Sequence, residues 1–354
     1  MTVVHVLVPD GIDDPAGPSG GNTYDRRICR GLGALGWMVR ERAVAGSWPR
    51  PDDSALEALR SVLAAVPDDG VVLIDGLIAS PAAGVLGPEA RRLRLVVLVH
   101  MPTGGQAHGD LADGPESERA ALAAARAIVT PSYWTRNWLI DRYALQANII
   151  QVAEPGVDAA GLAAGTPSGA ALVCVAALAP HKGHDVLVDA LSTLTDLRWC
   201  CRFVGSLDRD RAFVNRLVNR AREHGIADRI QLTGPRTGAD LDAVYTSADL
   251  LVLASHGETY GMVVTEALAR GLPVVATAVG GLPEALGTGA DGTVPGLLVP
   301  AADPTAFATA LRRWLSDPDL RRQLRTTAEQ RRATLPRWSD TAGRIAEVLA
   351  AVAA

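Results

Sequence analysis

No uninterrupted apolar stretch in this chain approaches the roughly 18–20 residues that a membrane-crossing helix needs. Cysteine is scarce: Cys29, Cys174, Cys200 and Cys201 are the four, and none forms a CxxC pair. Adjacent Cys200 and Cys201 cannot bridge without strain, so free thiols in a reducing cytosol are expected. The first residues run straight into the strand-like segment 3–8, with no charged leader and no cleavage site. An excess of either charge is also missing. Lys and Arg number 34 against 39 Asp and Glu, a net charge of −5, and no basic field argues for nucleic acid. Three phenylalanines and five tyrosines offer few stacking platforms, which disfavours a track for a long polysaccharide. These absences point to a cytoplasmic protein with no nucleic-acid partner. Peripheral membrane contact is left open and without support.

What is present is a chain of 354 residues, 48% hydrophobic and 21% charged with the signs mixed. That length supports two domains of ordinary size, each with its own core. Short apolar runs at 3–8, 39–44, 70–75, 94–100, 127–130 and 149–152 read as strands, alternating with helical segments near 22–35, 53–65 and 134–143. Residues 161–169 are rich in Ala, Gly, Pro and Ser and read as a domain boundary. The rhythm then restarts, with strands at 171–177, 199–204, 230–233, 250–254, 273–277 and 296–299. The expected architecture is α/β: two tandem Rossmann-like, doubly wound parallel-sheet domains facing across a cleft. The expected bounds are 1–163, 164–336 and a last helix at 337–354.

Gly31-Leu-Gly33-Ala-Leu-Gly36 matches G-x-G-x-x-G letter for letter. It closes a helix, whereas a dinucleotide site needs that motif to open one, so a nicotinamide reading is set aside. Gly20 and Gly21 fall where a glycine loop should lie, between the first strand and the first helix, with bare backbone able to approach an anion. His100 follows a strand end. The Gly-rich segment 103–116 reads as a mobile loop of the kind that lines sites near strand ends.

The most informative stretch is 250–286. Strand, loop, helix, strand, loop and helix follow one another as in a right-handed βαβ crossover. A helix is expected near 259–269. Glu258 and Glu266 stand eight apart with Gly261 between them. Two roles are open to them: acid and base of a hydrolase, or hydrogen-bond acceptors for sugar hydroxyls. The backbone N–H groups of Tyr260, Gly261 and Met262 beside Glu258 favour the second, a grip on a polyol joined to a phosphate. Lys182, in Pro-His-Lys-Gly after a strand, suits a phosphate. His181-x-x-His184 lacks the third and fourth ligands of a metal site. Asp208-Arg-Asp210 and Asp317-Pro-Asp319 are D-x-D strings that helix capping explains. Arginines clustered over 312–337 read as solvated helix faces ahead of an anionic membrane surface.

Glu258-Thr-Tyr-Gly-Met-Val-Val-Thr-Glu266-Ala-Leu-Ala-Arg-Gly-Leu-Pro-Val-Val resembles the Glu-x7-Glu signature of family 4 retaining glycosyltransferases with the GT-B fold. Pro180-His-Lys-Gly183 is similar to that family's phosphate-binding lysine loop, Gly20-Gly21 to its glycine loop and His100 to its strand-end histidine. Pro131-Ser132, Pro155-Gly-Val-Asp158 and Arg337-Trp338-Ser339 resemble its landmarks, the last starting a helix that crosses back onto the first domain. The resemblance implies transfer of a sugar from a nucleoside-diphosphate sugar, UDP- or GDP-linked, to a hydroxyl of a small-molecule or lipid acceptor, with retention and without a metal or other cofactor. It implies that Lys182 and the amides of Thr259, Tyr260, Gly261, Met262 and Val263 hold the diphosphate. Glu258 would take sugar hydroxyls and Glu266 the ribose, with Gly205 and Arg236 near the base and His100 on the sugar. A nucleotide-sugar epimerase of the same fold and a non-catalytic nucleotide-sugar binder are the alternatives. One departure is plain: Ala177 stands five residues before Lys182, where the family commonly has an Arg. Removing one charge-assisted hydrogen bond without replacement costs about 1.5–3 kcal/mol. Residues 154–158 also lack the usual Asn before Gly.

Overall fold

Period-two alternation of small branched residues builds the first sheet. Val4, Val6 and Val8 enter one core layer and Leu7 the other. Val72, Ile74, Leu95 and Val97 join Leu7, whereas Val71, Leu73, Val96 and Leu98 join the valines. A strand that is apolar on both faces must be covered on both faces, which is the signature of a parallel sheet with helices on each side. The structure is a computed structural model, and it describes residues 2–14, 18–104 and 114–354. They divide into two compact units. One takes its described residues from 1–14, 19–156 and 336–354; the other comprises 157–335 with Pro18.

In the first unit, β1 (Val3–Pro9), β2 (Met38–Val44), β3 (Val71–Asp75), β4 (Arg94–Leu98), β5 (Ala127–Thr130) and β6 (Ile150–Val152) pair in the order β2-β1-β3-β4-β5-β6. All of these pairings are parallel. The crossovers carry α1 (Gly20–Ala34), α2 (Asp53–Ala64), α3 (Gly76–Ala79), α4 (Ala83–Glu89), α5 (Gly114–Ala124) and α6 (Tyr133–Tyr143). The short α3 and α4 were not expected from the sequence. Asp75 caps α3 by accepting from the Leu77 N–H at 2.7 Å, so the last residue of β3 also starts a helix.

In the second unit, β7 (Ala171–Val175), β8 (Cys200–Val204), β9 (Ile230–Leu232), β10 (Leu250–Leu253), β11 (Val274–Thr277) and β12 (Gly296–Val299) pair in the order β12-β11-β10-β7-β8-β9, again in parallel. The helices are α7 (His184–Ser192), α8 (Arg211–Glu223), α9 (Gly238–Thr246), α10 (Met262–Leu268), α11 (Leu282–Leu286), α12 (Pro304–Ser316) and α13 (Pro318–Arg332). Trp314, Phe307, Phe203 and Tyr245 are its largest fully buried side chains.

The last helix, α14 (Trp338–Ala353), returns to the first unit, as the resemblance implied. Ala342, Ile345 and Leu349 lie in the core layer that holds Val4, Val6, Ile28 and Leu32. This docking explains the G-x-G-x-x-G string at the end of α1. A Cβ on Gly31 would sit 2.5 Å from Ala342 Cβ, so glycine lets two helices touch. Gly36, at φ +87°, ends the turn after the helix. Gly156 is similarly constrained, because a Cβ there would lie 2.2 Å from the Trp338 nitrogen.

The four thiols are free, as expected. Burial pushes the Cys174 thiol up to about 12.

Two expectations are corrected by position. Gly20 and Gly21 are the first two residues of α1 and not a loop, because Ser19 is extended and accepts the Asn22 N–H at 3.1 Å, capping the helix two residues early. Residues 114–116 of the segment read as a loop belong to α5; positions 105–113 lie outside the described residues.

Candidate active site

In the second sheet β7 and β10 are neighbours, yet their crossovers leave in opposite directions, one to β8 and the other to β11. Such a reversal opens a crevice at the carboxyl ends of the two strands. Lys182 follows β7 and Glu258 follows β10, so both predicted residues flank that point. Residues 180–182 make one 3₁₀ turn, and Gly183 closes it at φ +64°. A Cβ there would lie 2.0 Å from the Ala254 carbonyl oxygen, so glycine is required for the lysine loop to lie on the end of β10. The His256 N–H donates to the His181 carbonyl at 2.9 Å and ties the two loops together.

Lys182 Nζ sits 2.6 Å from Glu258 Oε1, with the side chains 16% and 11% exposed. The same oxygen accepts from Ser255 Oγ at 2.9 Å. Thr277, at the end of β11, donates to the Ser255 carbonyl at 2.6 Å. Glu258 is fixed from its backbone too. The Gly281 N–H donates to its carbonyl at 2.9 Å, and a Cβ on Gly280 (φ +56°) would be 1.7 Å from that oxygen. Sequence reading gave Gly280-Gly281 no role. Their lack of side chains lets the loop before α11 support Glu258.

The expected helix after Glu258 begins three residues late, at Met262. Gly261 stands at φ +96°, outside the helical region, and Thr259-Tyr260 precede it as irregular backbone. Tyr260 is buried, while Thr259, Gly261, Met262 and Val263 are half-buried. Glu266 is held apart from the Lys182–Glu258 pair by partners of its own. Tyr245 donates its hydroxyl to Glu266 Oε2 at 2.7 Å, and Arg270 lies over the Tyr245 ring. Burial raises the Glu266 carboxyl, against the Tyr245 hydrogen bond and the Arg270 charge. Gly205 is structural at the least, since its Cβ would meet the Ala176 carbonyl oxygen at 1.9 Å. Arg236 is exposed and makes only a 3.9 Å ion pair with Asp240. A cavity of about 330 Å³ beside Ala171, Cys200 and Ile230 lies at the amino ends of β7, β8 and β9, the wrong edge of the sheet for this chemistry.

His184 is a core residue. It is fully buried, packs edge-on to Phe203 and contacts Cys174 Sγ through Nε2 at 3.6 Å. Burial lowers it to about 3, which keeps the ring neutral within the core. Asp210 and Asp317 cap α8 and α13, and Asp208 and Asp319 pair with Arg211 and Arg322. Capping accounts for one Asp of each D-x-D string and ion pairing for the other.

The first sheet reverses direction between β1 and β3. Near that point stand three groups, of which sequence reading singled out only His100. Asp25 comes from α1, Asp75 from the end of β3 and His100 from two residues beyond β4. His100 Nε2 is 2.8 Å from Asp25 Oδ1. Gly21 backs the ring, since its Cβ would be 3.2 Å from His100 Cδ2, and Tyr24 meets the ring edge-on. The missed signal was Asp25 itself, a charged residue in register with Ile28 and Leu32 on the apolar face of α1.

Residues 167–331 match the family model described as glycosyl transferases group 1. This part of the chain is a group 1 glycosyl transferase domain. The family resemblance stated on Glu258-x7-Glu266 is thereby borne out. The chain is 35% identical over 259 residues to D-inositol 3-phosphate glycosyltransferase of Salinispora arenicola, covering 65% of this chain and 56% of that protein. The enzyme of the same name from Frankia alni is 33% identical over 270 residues, 69% of this chain and 64% of its own. The alignments thus span only about half to two thirds of these relatives. Around the glycosyl transferase domain, the whole fold is similar to solved structures. A sucrose-phosphate synthase from Thermosynechococcus elongatus has a TM-score of 0.78 at 21% identity, with 98% of each chain covered. Anabaena Alr3699/HepE in complex with UDP-glucose has a TM-score of 0.78 at 19% identity, over 99% of this chain and 100% of that one. The fold is GT-B. Among the described residues no helix is long and apolar enough to cross a membrane.

Proposed function

We propose that the protein transfers a sugar from a nucleoside-diphosphate sugar to a hydroxyl acceptor with retention at the anomeric carbon. The observation that carries this reading is the Lys182–Glu258 pair at the β7/β10 reversal of a group 1 glycosyl transferase domain. Lys182 is a compact cation at a strand end, suited to the charge that grows on a departing diphosphate. Glu258, held by Ser255 and Gly281, is an acceptor suited to sugar hydroxyls. In the free protein the two neutralise one another, so a donor that inserts phosphate at Lys182 and hydroxyls at Glu258 replaces one pair with two better-matched contacts. The amides from Thr259 to Val263 would assist at the diphosphate and Glu266 at the ribose, with Gly205 and Arg236 toward the base, Gly20 and Gly21 toward the phosphates and His100 on the sugar. No metal is assigned a role.

A UDP- or GDP-linked donor is the starting range, and the UDP-glucose complex of a similar fold makes UDP-glucose the first to try. The relatives' name makes D-inositol 3-phosphate the first acceptor to try, ahead of other small-molecule and lipid hydroxyls. A second reading, a binder without turnover, is favoured by Ala177, which removes a customary phosphate ligand. Epimerisation has no such observation behind it. Purified protein should consume one donor of a UDP, GDP, ADP and TDP sugar panel and release the nucleoside diphosphate in step with glycosylated acceptor, at unchanged anomeric configuration. Thermal stabilisation by a donor with no product across the acceptor panel would instead establish the binder.

A further inference from the structure

Asp25, Asp75 and His100 bring ligand-type atoms within 4.8 Å of one another in the first unit. Asp25 and Asp75 are 4% and 3% exposed, and the His100 side chain 14%. Two buried carboxylates side by side are unfavourable unless protons or cations offset them. The hydrogen bonds show the problem. Asp25 spends Oδ1 on His100, and Asp75 spends Oδ1 on the Leu77 N–H. Asp25 Oδ2 and Asp75 Oδ2 are then buried with no donor. One proton held on Asp75 and directed to Asp25 supplies that donor. A second proton, on the imidazole, cancels the remaining charge, so the trio becomes neutral as an imidazolium, a carboxylate and a carboxylic acid.

We propose that Asp25 and Asp75 are positioning residues for His100, sharing one proton between them so that the ring is held on Asp25 through Nε2 as a doubly protonated donor, with Nδ1–H offered to the donor sugar. Asp25 on α1 and Asp75 on β3 are the charged groups acting on the ring, and Tyr24, whose hydroxyl donates to the Ala153 carbonyl, meets it edge-on. Burial by itself lowers His100, but the Asp25 charge and hydrogen bond, with Asp75 behind them, hold it up to about 9. Burial, then the Asp25 charge, pushes Asp75 up to about 8, in keeping with its holding the proton at neutral pH. Asp25 and Asp75 were brought forward by no resemblance, and their role rests on the glycosyl-transfer reading only for what Nδ1–H touches.

The deciding experiment is a titration of the full chain with ¹⁵N-labelled histidine, His100 being assigned by the signal absent from His100→Gln. The wild-type ring should stay doubly protonated at pH 7.5. Asp25→Asn should bring its titration below the ordinary 6.5, a shift that simple loss of packing would not produce, whereas Asp75→Asn, which keeps a neutral donor toward Asp25, should leave it raised above 6.5. On the best donor, Asp25→Asn should lower kcat about tenfold at pH 7 with less change in KM, the pattern for an interaction strengthened in the transition state. A wild-type ring titrating near 6.5, or one indifferent to Asp25→Asn, overturns the inference. So does one equivalent of zinc or manganese that stays bound through gel filtration and is lost in Asp25→Asn. If no donor is turned over, the glycosyl-transfer reading fails while the titration still decides the proton arrangement.

Discussion

In both units the strand order changes the direction in which it grows within a parallel sheet, and both place titratable side chains there, but they solve the charge problem differently. In the second unit a carboxylate meets a lysine, and both remain partly open to water. On the proposed reading such a pair is separable, with phosphate taking the lysine and hydroxyls the glutamate. In the first unit two carboxyls are nearly closed off beside a half-buried imidazole, and one oxygen of each carboxyl finds no donor. That group is not free to exchange partners, so it must hold its protons. On the proposed readings, one reversal point is displaced by ligand and the other keeps a ring in place. The same topology therefore yields a binding device or an orienting device according to whether the counter-charge is a cation or a proton.

The largest effect should come from the displaceable pair. Lys182→Ala and Glu258→Ala are each expected to lower kcat/KM for the donor by about 10²–10³-fold, the scale of removing one charge-stabilising group, in a coupled nucleotide-release assay. Wild-type rates in both would end the assignment. Next is Gly280→Ala. It combines a left-handed φ with a Cβ at 1.7 Å from the Glu258 carbonyl oxygen, so about 1–3 kcal/mol of stability should be lost in urea unfolding, with donor affinity falling alongside. Its counterpart, Gly21→Ala, meets only the His100 ring at 3.2 Å and lies in a helix that favours alanine. There the expected change is under about 1 kcal/mol, read as a displaced His100 resonance with little loss of fold.

Stability against pH separates the units further. His100 is raised in the folded chain from 6.5 to about 9, so its protonation favours folding fully below pH 6.5 and that share is lost as pH rises through 9. Asp75, raised from 3.8 to about 8, acts in the same direction. His184 in the second unit acts oppositely: lowered to about 3, it costs stability below 6.5 and ceases to as pH rises to that value. The thermal midpoint should therefore fall between pH 6.5 and 9, where His100 and Asp75 both lose their share, and Asp25→Asn should flatten that fall.

Much of this was legible in the residues. Strand positions followed from runs such as Leu250-Leu-Val-Leu, and Lys182 and Glu258 were placed together because each follows a strand. Asp25 and Asp75 were not legible, because they lie fifty positions apart and one acid on a helix resembles any other until the helix's buried face is known. Gly20-Gly21 was misread as a loop because glycine weakens a helix, and the capping strength of Ser19 was given no weight. The start of α10 was misjudged because residues 259–261 have helical neighbours, yet Gly261 adopts a conformation that only glycine takes easily.

The return of α14 carries one more consequence. Ala342, Ile345 and Leu349 complete a layer whose other members, from Val4 to Ala153, leave the ribosome at least 189 residues (342 − 153) earlier. During synthesis the first unit must wait with an uncovered apolar face while the whole of the second is made. The unit that begins first is thus the one that finishes last.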